Sequence, residues 1–296
     1  MSTIVQGVVR ALAARAEGAS PIDDALLEGA SAATIAAAFA AGYGAALRAL
    51  VPSLPRDARA CLCATEAGGA HPRAISTTLA PAPDGDGYLV DGEKRFVTGG
   101  PLADLLLVVA TTGLDEAGRP KLRLVRVPAR AEGVTLTEMP PLSFVPEIPH
   151  AEVRFAGVRV GADALLPGDG YARYVKPFRT IEDLHVHGAL LAWLTAVGER
   201  SRFAPPLLER LAALLAATRA LALADATAPA THVALAGLLQ TARALLADLE
   251  PAWAQVDAPT RAQWERDRAL LTVAERARTA RTEAAWRTLA DSVLDK

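Results

Sequence analysis

Two short runs carry the residues best placed to do chemistry. The first is Thr65-Glu66-Ala67-Gly68-Gly69 and the second is Phe96-Val97-Thr98-Gly99-Gly100. Between them lie Asp84-Gly85-Asp86-Gly87 and Asp91-Gly92, two hairpin signals. Two strand ends, each with a threonine and each opening into glycine, suit a flat ligand with a polar edge. Other reactive residues are thin. His185 and His187 are two apart, which on a helix turns them to different faces, so they do not chelate. Glu147 and His150 flank prolines in a loop with no partner apparent. No nucleophile elbow, phosphate loop or metal-ligand spacing occurs.

The elements that must position these residues separate by period. Residues 1–57 are Ala-rich and helical in pattern, with Pro21 after Ser20 as a helix start and Ile35, Ala38, Phe39 and Gly42 at helical spacing. Residues 58–165 switch to period two. Candidate strands are Ala60–Ala64, Ala74–Leu79, Tyr88–Val90, Lys94–Thr98, Leu105–Ala110, Leu122–Pro128, Val134–Thr137 and Ala151–Phe155, divided by turns rich in Gly, Pro and Asp. From 166 to 296 the pattern becomes helical, with four helices expected at Leu184–Arg202, Pro206–Ala226, Thr231–Leu249 and Pro259–Leu294. The expected fold is α+β: a short N-terminal helical segment, a middle antiparallel β-barrel or sandwich, and a C-terminal four-helix bundle.

Composition narrows the function. Half of the 296 residues are hydrophobic (51%) and only 5% are aromatic, so a large core built on small side chains is expected. The net charge of −2 gives no reason to expect nucleic acid or an anionic membrane as partner. Cys61 and Cys63 share one face of a strand and read as reduced core thiols. The N-terminal run lacks the basic and apolar regions of a secretion signal, and no run reaches the ~18 apolar residues of a membrane span. A cytoplasmic protein is expected. The tryptophans Trp193, Trp253, Trp264 and Trp286 read as packing within the bundle.

The order of these runs resembles the acyl-CoA dehydrogenases, a flavoprotein family, over nearly the whole chain. Residues 37–52 resemble the last helix before the β-domain, residues 150–171 the exit from it, and residues 198–207 the end of the first bundle helix. The resemblance implies FAD as cofactor and α,β-dehydrogenation of an acyl thioester as activity. By position it implies that Thr65 and its backbone meet the pyrimidine edge of the flavin, with Cys63 at a neighbouring lining position. Phe96 would lie against the isoalloxazine, and the hydroxyl and main-chain N–H of Thr98 would approach N5. Arg200 matches an arginine that reaches across a dimer interface to the FAD pyrophosphate, where its planar fork fits phosphate oxygens. Arg179 matches an arginine near the catalytic base.

Departures from the family pattern are specific. His71 stands where a serine donates to an FAD phosphate, and Pro72 removes an N–H; a loop histidine satisfied by its neighbours is the other reading of that position. The family's glutamate in a Tyr-Glu-Gly-type segment has no counterpart before Leu294-Asp295-Lys296, and Glu182, on the first bundle helix, is the candidate base. Its other reading is an acid favoured by the helix dipole. Little acyl-CoA dehydrogenation is therefore expected of the chain alone. The alternative is a non-catalytic partner subunit or binding scaffold in a hetero-oligomer with a related dehydrogenase, a homo-oligomer being the other assembly expected. An acyl-CoA-type small molecule is the expected ligand.

Overall fold

The structure, a computed structural model, describes residues 2–13, 20–69 and 71–294. Ala70, just after the first candidate run, and Asp295-Lys296, at the end of the given sequence, lie outside the described residues. The chain divides into two compact units. One falls within Met1–Ala49, Ser143–Val145 and Phe178–Lys296, the other within Leu50–Leu142 and Pro146–Pro177.

The first unit is helical. It holds α1 (Thr3–Ala13), α2 (Pro21–Ser31), most of α3 (Ile35–Leu50) and α4 (Lys176–Arg200), then α5 (Pro205–Ala222), α6 (Pro229–Leu249), α7 (Ala258–Asp267) and α8 (Glu275–Leu294). Proline opens α2, α5 and α6, where its missing N–H would be unpaired anyway. Ser20 is the N-cap of α2, and its N–H donates to Asp23 Oδ2 at 3.2 Å. Burial is nearly continuous along α4 from Asp183 to Gly198, as expected of a helix enclosed on all sides.

Small residues make that enclosure fit. A Cβ added at Gly29 of α2 would lie 2.4 Å from the Ala189 carbonyl oxygen of α4. One added at Gly42 of α3 would lie 2.7 Å from the Val186 Cα. Backbones therefore pack directly against backbones, and this is where the alanine- and glycine-rich composition is spent. The fourth expected helix is broken: α7 ends at Asp267, a 3₁₀ turn covers Arg268–Leu271, and α8 starts at Glu275. No proline or glycine marks the break, so periodicity alone runs through it. Trp193 stacks near Trp264 and Trp264 on Trp253, at 6.5 and 4.8 Å between ring centroids. Trp286 departs from the packing expectation, being 57% exposed on α8.

The second unit is one seven-stranded sheet: β1 (Ala60–Cys63), β2 (Thr78–Pro81), β3 (Tyr88–Thr98), β4 (Leu105–Leu114), β5 (Pro120–Pro128), β6 (Val134–Glu138) and β7 (His150–Val160). The sheet is mixed, which corrects the antiparallel expectation: β1 and β2 both run parallel to β4. Alternation reports which face a residue takes, not strand direction, and so could not reveal this. Asp91-Gly92 does not turn the chain back either. β3 continues through it as an irregularity in the pairing with β7, with Gly92 at φ 143°. A Cβ there would meet Thr77 Cα at 2.6 Å, so glycine is required by both angle and space. Cys61, Cys63, Val97, Val108, Val125, Val153 and Phe155 share one core.

The packing yields a paired test. Gly29→Val should destabilise by about 3 kcal/mol, because backbone cannot move aside as a side chain can. Gly237→Ala, on the open face of α6 with nothing within 4 Å, should stabilise by about 1 kcal/mol. Urea midpoints of the two variants against wild type measure both.

Candidate functional site

The first candidate run is a tight turn fastened by a buried carboxylate. Glu66 and Gly69 exchange main-chain hydrogen bonds at 3.1 and 2.9 Å, with Gly69 at φ 98°. The Glu66 side chain, 6% exposed, gathers five donors. Ser76 N and Oγ reach Oε2 at 2.7 and 2.5 Å; Thr77 N and Oγ1 reach Oε1 at 3.0 and 2.8 Å; Lys94 Nζ reaches Oε1 at 2.6 Å. Burial alone would raise this carboxyl, but Lys94 and the Ser76 donors outweigh it and hold it down at about 2. Burial also pulls the fully enclosed Lys94 below its usual value. Nothing local announces this pair: the positions two residues either side of Lys94 are Gly92 and Phe96, so no run of core residues marks the lysine as inward-facing.

That anchor sets the neighbouring strand ends. Thr65 O accepts from Arg95 N at 2.8 Å, which places the first run beside β3 one residue before Phe96. The register of β3 with β7 then shifts between Lys94 and Val97. Phe96 sits inside the shift at φ 54° and is 53% exposed. A large non-glycine residue in the left-handed region costs about 1–2 kcal/mol, and its ring is held out of the core. Strain together with an exposed aromatic ring is the signature of a position kept for contact. Two residues on, Thr98 is half-buried and its Oγ1 lies 3.3 Å from His150 Nε2. His150 is thus a strand residue facing Thr98, where the sequence reading left it in a loop without a partner.

The structure brings Thr65, Phe96 and Thr98 to adjoining strand ends and treats the other proposed contacts differently. Cys63 is fully buried in the core, so its sulfur is turned away from any ligand at the surface. Both cysteines are free, and burial pushes Cys61 up to about 12 and Cys63 higher still, which makes them poor nucleophiles. His71 is exposed and its Nδ1 accepts from Arg73 N at 3.2 Å. The loop-satisfied reading describes its Nδ1, while its other face is open.

In the helical unit, α4 ends in a Schellman turn: Phe203 N donates to Gly198 O at 2.8 Å and Arg202 N to Glu199 O at 3.2 Å. Arg202 takes the left-handed position at φ 57° that glycine would occupy more cheaply, and Phe203 covers Gly198. The turn leaves Arg200 exposed, lining a surface cavity of about 640 Å³ with Thr3, Ser31 and Glu199.

Near the other end of α4, Glu182 is half-buried. Burial pushes its carboxyl up to about 7; the charge of Asp183 adds to this while Arg179 and Arg278 oppose it. Arg179 itself is exposed. Asp183 is fully engaged, taking Arg278 at 2.8 and 3.0 Å and Arg281 at 2.5 Å. Those arginines are therefore committed to Asp183, which leaves Glu182 protonatable near neutrality, as a general base must be. His185 and His187 each place Nδ1 against the carbonyl four residues back, at 2.7 and 2.8 Å. No metal-binding group of three or more His, Cys, Asp or Glu occurs among the described residues, and no described helix is long and apolar enough to cross a membrane.

Known proteins resemble the chain in its sheet and in its overall course. The family described as acyl-CoA dehydrogenase, middle domain, matches residues 61–158. A probable acyl-CoA dehydrogenase of Bacillus subtilis is 30% identical over 152 residues, which is 48% of this chain and 38% of that protein. Benzylmalonyl-CoA dehydrogenase of Aromatoleum aromaticum is 30% identical over 166 residues, 53% of this chain and 43% of that protein. The chain thus matches only 38% and 43% of the length of these curated relatives. Among solved structures, the FAD complex of PigA superposes over 97% of this chain and 89% of its own with a TM-score of 0.65 at 15% identity, a likeness of fold.

Two measurements follow from the charges. Lys94→Met should cost about 3–5 kcal/mol by stranding the Glu66 carboxylate, and adding Glu66→Gln should recover part of it; denaturant midpoints test this. For Glu182 the sign runs the other way from a salt-bridged acid. Its folded pKa, about 7, lies above the ordinary 4.5, so its stabilising contribution is complete below about 4.5 and is lost as pH rises through 7. Glu182→Gln should therefore be more stable than wild type at pH 8, with the gap closing by pH 5 in urea titrations at both values.

Proposed function

We propose that the chain, acyl-CoA dehydrogenase-like at modest identity, is a flavoprotein holding FAD against the ends of β1 and β3. In this reading the sheet is the family's β-barrel, the later helices its bundle, and the chain is laid out as residues 1–57, 58–165 and 166–296. The observation that carries the cofactor is Phe96, exposed and held at φ 54° between Thr65 and Thr98. Its ring offers a flat apolar surface, and the flanking threonines offer the hydroxyl and main-chain groups that the polar rim of an isoalloxazine needs. The donor set therefore fits the group. Arg200, exposed at the end of α4, is suited to a pyrophosphate through its planar fork.

The reaction class proposed is removal of two hydrogens from the α and β carbons of an acyl thioester. FAD supplies acceptance of the β-hydrogen as a hydride. The chain's own task is to take the α-proton and to orient the cofactor. Glu182 is the proposed base, because a carboxylate of pKa about 7 is part-ionised at neutral pH yet basic enough to receive a proton. Arg179, exposed one turn before it, is proposed to help hold the substrate's negative charge.

A second reading is a partner subunit of a related dehydrogenase, with Arg200 serving a phosphate outside its own chain; the exposure of that guanidinium favours it. In both readings the assembly is an oligomer and the small molecule is of acyl-CoA type. The purified protein, incubated with FAD and desalted, should retain an absorbance band near ~450 nm, the usual flavin position. Phe96→Ala should weaken FAD at least tenfold, and Glu182→Gln should remove any turnover with an acyl-CoA and an artificial electron acceptor while leaving FAD bound. A protein that stays colourless at saturating FAD would sink the first reading.

A further inference from the structure

One ring nitrogen in the helical unit is buried without a partner beside an open pocket. His187 of α4 is 5% exposed. Its Nδ1 lies 2.8 Å from the Asp183 carbonyl oxygen; a carbonyl can only accept, so Nδ1 carries the hydrogen. Its Nε2 is buried and takes no hydrogen bond. The Leu271 carbonyl on that side accepts instead from Arg278 Nη1, at 2.9 Å. Burial first, then the Arg278 guanidinium, favour the neutral ring over the opposing effect of the Asp183 charge and the two carbonyls. Nε2 is thus a bare lone pair, and a buried acceptor left unmet is costly.

The same ring lines a pocket of about 240 Å³ between α6 and α8. Leu239, Ala242 and Leu246 of α6 give it an apolar wall, and Trp286 of α8, 57% exposed, adds an indole face. Both arginines that line it are committed, Arg243 to Glu275 and Arg278 to Asp183, each at 2.8 Å. No cation is therefore left to hold an anion, which excludes a phosphate or a free carboxylate as occupant. The volume falls below the roughly 300–1,000 Å³ of sites for drug-sized ligands. We propose that this pocket binds a small neutral aromatic molecule with one hydrogen-bond donor, a phenol, whose O–H meets His187 Nε2 while its ring lies against α6 and Trp286. A hydroxyl is the slimmest donor for a nitrogen so covered, and an aromatic body suits the exposed indole. The site is independent of the flavin reading given above.

The probe is p-cresol, with p-xylene as the same shape lacking the donor. Full-length protein labelled with 5-fluorotryptophan carries four reporters, one per tryptophan, and Trp286→Phe assigns the signal of Trp286. Both ligands should shift that signal, and titration gives a dissociation constant for each. His187→Phe should lower the preference for p-cresol over p-xylene about tenfold, the size of one hydrogen bond to a buried acceptor. His187→Gln, whose amide sets an acceptor near the place of Nε2, should keep most of that preference. Ala236→Phe, which fills the pocket from α6 and leaves His187 in place, should abolish both ligands. A Trp286 signal that p-cresol does not move overturns the proposal, and so does binding that survives Ala236→Phe. A preference unchanged in His187→Phe overturns it too. Should that variant fail to fold, nitrogen NMR of histidine-labelled wild type decides: one Nε2 signal must move with p-cresol and stay in place with p-xylene, and any other pattern removes the hydrogen bond and the proposal with it.

Discussion

The candidate site in the sheet depends on one buried carboxylate. Glu66 is surrounded by five donors from three residues at two places in the sequence: Ser76 and Thr77 ahead of β2, and Lys94 on β3. Turning those donors toward a single point fixes the loop after β1, the approach to β2 and the inner face of β3 together. Phe96 follows Lys94 by two residues, so its left-handed backbone is imposed within a segment already fastened on its inner side. A strained conformation persists only where surrounding bonds over-determine it. Here the ion pair on one side and the resumed pairing with β7 at Val97 on the other supply that determination.

In the helical unit the corresponding constraint is the closeness of α4 to its neighbours. Gly29 and Gly42 remove the side chains that would stand between backbones. The cost of so tight a fit is that polar groups on α4 have little room for partners on other helices. They turn to their own helix instead: His185, His187 and Thr195 each bond the carbonyl four residues back. Thr218 on α5 does the same toward Leu214. Charged groups cannot be satisfied that way, and Asp183 draws in Arg278 and Arg281. Glu182, one residue earlier, has no such direct ion pair, and burial outweighs the opposing charges of Arg179 and Arg278.

What the sequence revealed and what it concealed divide along a physical line. Local signals were readable: Pro21 after Ser20 opens α2, Pro229 opens α6, and Thr65, Phe96 and Thr98 do come to adjoining strand ends. One strand, β3, is nevertheless expected as two, divided at Asp91-Gly92, because an Asp-Gly pair serves a hairpin or a bulge equally and only the partner strand distinguishes them. The break between α7 and α8 was invisible, since Arg268–Leu271 carries neither proline nor glycine. Parallel pairing of β1 and β2 with β4 lay beyond reach for the same reason: it is a relation between distant segments. Glu66–Lys94 and Thr98–His150 span 28 and 52 residues, and neither pair has a local pattern to announce it.

The same division explains why the two threonines differ in chemical value despite their similar settings. Thr65 acts through its main chain, whose carbonyl already accepts from Arg95 N; its contribution is to place the turn. Thr98 has a side-chain oxygen in contact with the ring of a residue 52 positions away. A threonine at a strand end can donate or accept, and the sequence leaves that choice open. The neighbour it meets is the half-buried His150 ring at the start of β7, brought there by the pairing of β3 with β7. Polarity at this edge is therefore shared between two residues far apart in the sequence, and the threonine's own position does not fix it.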